Sequence, residues 1–200
     1  MSGDTTLTDL LPLMPRQKVP GLAVELVGGG TWRLADQEPE HFTLLNFYRG
    51  RHCPQCQRQL QDMNRKHEEF TKRGVGFLAL SCDPRDRAED AKREWGLDNV
   101  PIGYGLPLAE ARRWGLFISQ SRGMTSIGIE EPALFSEPGL FLVKPDGTLY
   151  ASIVQTMPFV RLHFNELIGA LDSSIIPKSY PARGHVADLG EELARPVAAE

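Results

Sequence analysis

The chain alternates between short apolar runs and longer segments whose apolar positions step by three and four. Phe42 to Tyr48 is nearly continuous (Phe42, Leu44, Leu45, Phe47), the pattern of a central strand covered on both faces. From Pro54 to Arg73 the apolar stripe is Cys56, Leu60, Met63, His67 and Phe70, one face of a helix. Pro54 suits its first turn, and Gly74 is placed to end it. Val75 to Ser81 reads as a second buried strand. Asp83-Pro84 then opens a helix carrying Ala88, Ala91 and Trp95, stopped by Gly96. Late in the chain, Leu140 to Val143 is a third strand. Lys144-Pro145-Asp146-Gly147 turns the chain tightly, and Leu149 to Val154 returns antiparallel. Phe159 to Leu171 is the last helix, with Val160, Phe164, Leu167, Ile168 and Leu171 on one face.

Around this frame the signals are looser. Residues 19–35 alternate as a hairpin turning at Gly28-Gly29-Gly30, and Leu108 to Trp114 suggests a short helix. Gly115 to Glu137 reads as a long irregular stretch, of the kind that often shapes a site. The expected plan is an N-terminal arm over 1–17 with a short helix around Leu7 to Leu13, one domain over 18–175 with an insertion at 97–137, and a C-terminal extension over 176–200. The fold class is α/β: a right-handed βαβ unit, then a closing hairpin, giving a mixed central sheet with helices on both faces.

Composition narrows the function. Two hundred residues suffice for one ordinary domain, and the net charge of -4 with both signs interspersed offers no basic footprint for nucleic acid. No apolar stretch approaches a membrane span, and the N-terminus, with Asp4, lacks a secretory pattern. A cytoplasmic location is the expectation. Three cysteines are too few for a disulfide scaffold, so a close pair points to redox or metal chemistry.

That pair is Cys53-Pro54-Gln55-Cys56, at the junction of the first buried strand and the first helix. Helical neighbours at i and i+3 lie within disulfide reach. Cys53 falls at the helix N-terminus, where the dipole and free amides favour a thiolate, and Arg49, Arg51 and His52 add positive charge nearby. Cys53 is thus the expected nucleophile and Cys56, one turn in on the buried face, the resolving thiol. A zinc site would need two more ligands, and no second C-x-x-C or C-x-x-H is present. Neither metal nor cofactor is expected.

These residues resemble the alkyl-hydroperoxide-reductase/thiol-specific-antioxidant (peroxiredoxin-like) family of the thioredoxin-fold superfamily. The resemblance rests on Phe47-Tyr48-Arg49-Gly50 followed by the C-P-x-C motif, on Gly139 to Gly147, and on Tyr180-Pro181-Ala182-Arg183-Gly184. It implies a thioredoxin-like fold and thiol redox chemistry. It also implies departures. Counted from Phe47, Cys56 takes the peroxidatic position and Cys53 that of a family Thr or Ser. Arg49 replaces a Pro, and Pro138 stands where the family keeps a peroxide-binding Arg. In thioredoxin-like reductases that last position is a cis-proline facing the dithiol, so Pro138 is expected in the site and cis.

The leading expectation is therefore a thiol–disulfide oxidoreductase using Cys53, Cys56 and Pro138, with Arg49, Arg51 and His52 tuning thiol pKa or binding substrate. A peroxiredoxin-like peroxidase attacking through Cys56 is the alternative, and a non-catalytic redox sensor is a third. Partners would be a disulfide-bearing protein, a small-molecule disulfide or a peroxide, together with an external thiol reductant; a homodimer is left open. Cys82 and His67 read as packing residues, as do Trp95, Trp114 and Phe117.

Overall fold

The computed structural model describes residues 11–156, 158–188 and 190. Its elements run β1 (Ala23–Leu26), β2 (Thr31–Arg33), β3 (Phe42–Phe47), α1 (Pro54–Arg65), α2 (His67–Thr71), β4 (Val75–Leu80) and α3 (Arg85–Trp95). They continue through β5 (Ile102–Tyr104), α4 (Leu108–Arg113), β6 (Ile118–Gln120), β7 (Leu134–Ser136), β8 (Gly139–Val143), β9 (Leu149–Val154) and α5 (Phe164–Ala170).

The main sheet has the order β2-β1-β5-β4-β3-β8-β9. Parallel β3, β4 and β5 form its middle; β8 and β9 close one side antiparallel, and the β1–β2 hairpin closes the other. This is the mixed thioredoxin-like sheet. Alternation along β3 divides the core in two. Phe42 and Leu44 face α1, α2, α3 and α5, joining Leu60, Met63, Phe70, Trp95 and Phe164. Leu45 and Phe47 face the opposite way, against Trp114, Phe141 and Val143. Every residue of β3 is buried, as a strand sandwiched between two apolar layers must be.

Several expectations change. The helix over Pro54 to Arg73 is two helices. At Lys66 the backbone leaves helical geometry (φ -101, ψ 8) and its N–H bonds both Asp62 and Met63 carbonyls. The apolar stripe passes unbroken through this kink to Phe70, which packs edge-on against Phe164 at 5.6 Å, so periodicity alone carries no sign of it. The insertion starts later than residue 97, because β5 belongs to the main sheet. Beyond α4 the inserted segment folds over the site as a small hairpin, β6 against β7.

The last helix begins at Phe164, not Phe159, and runs on into a π-type turn over Leu171–Ile175. Phe159 and Val160 are exposed instead. The side chain of Arg161 folds back onto the Pro158 carbonyl (2.9 Å), making a local turn that competes with helix. The short helix expected around Leu7 to Leu13 begins outside the described residues, and Leu11 to Leu13 are not helical. Among the described residues, no helix is long and apolar enough to cross a membrane.

Candidate active site

The end of β3 delivers residues 48–53 to the start of α1, and three anchors fix that loop. Tyr48 N–H donates to the Leu80 carbonyl (2.9 Å), extending the β3–β4 ladder by one bond. Gly50 adopts φ +138, and a Cβ there would lie 2.8 Å from the Asp83 carboxylate. Only glycine meets both conditions. The space admits Asp83, whose Oδ2 accepts the Arg51 N–H (2.7 Å) while Oδ1 accepts Arg87 Nε (3.1 Å). Asp83 is itself buried, which raises its pKa against the pull of these partners.

Cys53 is the N-cap of α1 and Pro54 its first helical residue. The Cys53 sulfur accepts the Cys56 N–H (3.3 Å), one of the amides a helix start leaves free. The two sulfurs are not joined by a disulfide. Their environments push them apart. A hydrogen bond from the Cys56 thiol, the Cys56 amide, and the charges of Arg49 and Arg161 bring Cys53 down to about 6 against the cost of burial. Burial, together with the neighbouring Cys53 thiolate, pushes Cys56 well above the ordinary thiol range. One cysteine is shifted toward the thiolate while the other holds its proton.

Arg161 was not among the residues expected from sequence. Its Nη2 lies 3.6 Å from Cys56 Sγ and 3.9 Å from Cys53 Sγ, touching both sulfurs from the segment between β9 and α5. That segment reads in sequence as the first turn of a helix with Arg161 on its wet side, so nothing local marks the residue.

Arg49 reaches the same site by a different route. It pairs with Glu131 (3.3 Å) and Glu137 (3.2 Å), and its guanidinium sits 4.7 Å from the centre of the Phe135 ring. Glu137 also accepts the Ser119 hydroxyl (2.6 Å), and Glu131 accepts the Arg122 N–H (2.7 Å). The β6–β7 hairpin is thereby pinned over the dithiol.

His52 is 0% exposed, its ring 4.7 Å from Phe135, and neither ring nitrogen has a hydrogen-bond partner among the described residues. Burial, with Arg49 and Arg87 close by, lowers it to about 3, so it is neutral near pH 7. Together Arg49, His52 and Cys53 line a cavity of about 510 Å³ roofed by the hairpin.

Two expected site residues do not belong to it. Arg51 turns away to α3, where it pairs with Glu94 (2.7 Å) and Asp90 (2.9 Å). Pro138 is trans, since no cis peptide bond occurs among the described residues. Its carbonyl accepts Gln155 N–H (3.0 Å), so it offers a substrate no open backbone edge, and it does not line the cavity. Nor is Cys53 openly accessible: it is only 1% exposed.

The remaining residues pack. Trp95 and Trp114 are core, whereas Phe117 is partly exposed on the hairpin segment. His67 Nδ1 is satisfied by the Asn64 carbonyl (3.0 Å). Cys82 is half-buried, 3.7 Å from the Ser136 hydroxyl.

Comparison with known families and structures follows this geometry. The model of the AhpC/TSA family matches residues 15–152. Among solved structures, a reduced 2-Cys peroxiredoxin of Plasmodium vivax aligns over 90% of this chain and 96% of its own, with TM-score 0.67 and 16% identity. Peroxidoxin BcpB of Mycobacterium tuberculosis aligns over 80% and 97%, with TM-score 0.62 and 17% identity. Peroxiredoxin Q of Xanthomonas campestris aligns over 83% and 98%, with TM-score 0.60 and 22% identity. At these identities the likeness is one of fold. Comparison with curated proteins finds no match.

Proposed function

The chain belongs to the AhpC/TSA family, and within the peroxide- and thiol-directed oxidoreductase chemistry of that family we propose a thiol–disulfide oxidoreductase in which Cys53 attacks and Cys56 resolves. The observation that carries this reading is geometric: two thiols one helical turn apart, the Cys53 sulfur at the helix start accepting the Cys56 N–H (3.3 Å) and Arg161 against both, an arrangement that lowers Cys53 and raises Cys56. The Cys53 thiolate attacks one sulfur of a substrate disulfide and expels the other as thiolate. Cys56 gives up its proton and attacks Cys53 Sγ. The second substrate thiolate leaves, and a Cys53–Cys56 disulfide remains for an external thiol to reduce. Arg161, in contact with both sulfurs, steadies negative charge as it passes between them.

A second reading, thiol peroxidase, is favoured by the family match and by the two guanidinium groups beside Cys53. In it the attacking sulfur is Cys53, at the helix start, rather than Cys56, whose pKa is raised.

Trapping separates these readings. Cys56→Ser should accumulate a mixed disulfide on Cys53 when mixed with a disulfide substrate, and Cys53→Ser should accumulate none. No adduct in Cys56→Ser, together with rapid sulfenic acid formation at Cys53 by peroxide, would replace the first reading with the second.

A further inference from the structure

A second hollow, of about 450 Å³, shares Gln55 and Phe159 with the cavity over Cys53. One wall is α1 and the other is the segment 159–165 that leads into α5. Its size falls within the roughly 300–1,000 Å³ usual for sites that take organic ligands.

Its charge is one-sided. His163 aside, the lining carries four cations, Arg58, Arg65, Lys66 and Arg161, against one carboxylate, Asp62. Asp62 is already shared between Arg65 (3.1 Å) and Lys66. Arg58 and Arg161 make no ion pair among the described residues. The surplus is three positive charges, in a chain whose net charge is -4. None of the four cations is buried, so a ligand can reach them. Phe159, 71% exposed, and Leu162 add apolar surface to the same hollow.

Arg161 connects the hollow to the dithiol. Its Nε donates to the Pro158 carbonyl and its Nη2 contacts both sulfurs, while Nη1 makes no hydrogen bond among the described residues. A guanidinium has donors enough for an anion and a sulfur together. The two negative charges would nonetheless share one cation and repel each other.

We propose that this hollow binds a phosphate monoester, its phosphate held by Arg58, Lys66 and Arg161 and its organic body against Phe159 and Leu162, and that the ester competes with the dithiol for Arg161. A phosphate ester carries about -1.5 to -2 charges near pH 7, which suits the surplus better than a single carboxylate does. Guanidinium groups pair with phosphate oxygens in parallel hydrogen bonds. The volume and the apolar surface favour an ester over the free ion.

The competition is reciprocal. A Cys53 thiolate holds Arg161 at the sulfurs and opposes the ester, whereas a Cys53–Cys56 disulfide carries no charge and releases it. The oxidised protein should therefore hold the ester more tightly than the reduced one. The proposal rests on the Cys53–Cys56 couple of the proposed function and adds a regulator to it.

The test is calorimetric titration of the full-length protein with phenyl phosphate, inorganic phosphate and benzoate, at fixed ionic strength near pH 7. Phenyl phosphate should bind at least about tenfold more tightly than either of the others. Oxidised protein should bind it at least about threefold more tightly than reduced protein, and Cys53→Ser, which bears no thiolate there, should match the oxidised form. Arg58→Gln and Lys66→Gln should each weaken binding at least about fivefold. Arg113→Gln, on α4 across the sheet, should leave it in place.

No saturable binding of phenyl phosphate, or no loss in Arg58→Gln, would overturn the site. Equal affinity for benzoate or inorganic phosphate would overturn the ligand class. Equal affinity of reduced, oxidised and Cys53→Ser protein would overturn the competition. A protein that forms no Cys53–Cys56 disulfide would overturn the exchange mechanism, and the comparison of reduced protein with Cys53→Ser would still decide the competition.

Discussion

The floor and the roof of the cavity over Cys53 are held by different forces. The floor, β3 with the first turns of α1, is fixed by apolar burial: Leu44, Leu45, Phe47, Cys56 and Leu60 are all fully enclosed. The roof, the β6–β7 hairpin, buries Phe135 but is also tied down by charge, with Arg49 paired to Glu131 and Glu137 and the Arg87 guanidinium bonded to the Glu130 carbonyl (3.1 Å). Its outer surface leaves Ile127 and Leu134 in solvent. A floor built by packing holds the two sulfurs in one geometry. A roof built on a few ion pairs can be released by disturbing a single cation, without dismantling the core. The reactive atoms are thus held firmly while access to them depends on a local contact.

Removing that cation gives the largest expected effect. Arg49→Leu strands two nearly buried carboxylates, a change on the order of 3–5 kcal/mol. The loss should fall on the hairpin: hydrogen exchange should speed over 118–136 while β3 and β4 stay protected. Equal acceleration in β3 would break the distinction between floor and roof. Leu60→Ala should do the reverse. By opening a cavity under α1 it should cost about 2–5 kcal/mol of global stability, read from the urea midpoint.

Gly50→Ala addresses the hinge between the two regions. The strained φ and the clash with Asp83 should cost about 1–3 kcal/mol. They should also slow alkylation of Cys53 by displacing the loop that presents it.

The effect smallest near neutral pH is a pH slope. His52 is neutral in the fold down to about 3, whereas the unfolded chain takes up this proton below about 6.5. Stability is therefore lost as pH falls from about 6.5 toward 3. The raised Asp83 opposes this at the acid end, because the fold binds its proton first. His52→Leu should flatten the decline between pH 7 and 5, and an unchanged slope would show that His52 titrates elsewhere.

The same division explains what could be read from the chain. The floor was legible because hydrophobic period specifies it. The runs at Phe42 and Val75, the stripe from Cys56 to Phe70 and the Pro145–Gly147 turn each dictate a local shape. The roof was not, since Arg49 finds Glu131 across 82 positions and no local pattern marks either residue. Arg161 was hidden for the same reason, its partners lying 105 and 108 positions away. Arg51 was misplaced because sequence proximity to the dithiol says nothing of direction, and Asp90 and Glu94 on α3 were the stronger attraction. Pro138 was misjudged through resemblance, which transferred a role that the local hydrogen bonding had already taken up.

The single helical turn between Cys53 and Cys56 also sets a lifetime. Where the resolving thiol of an enzyme lies on a distant element, an oxidised cysteine must wait for the chain to move. Here Cys56 already donates a hydrogen bond to the sulfur that, in the proposed mechanism, it would attack. Should peroxide be the oxidant, the Cys53 sulfenic acid would be captured before a second peroxide arrived. Oxidation would then stop at the reversible disulfide and not climb to the irreversible sulfinic state. The spacing of two residues that makes the dithiol reactive would also protect it from its own substrate.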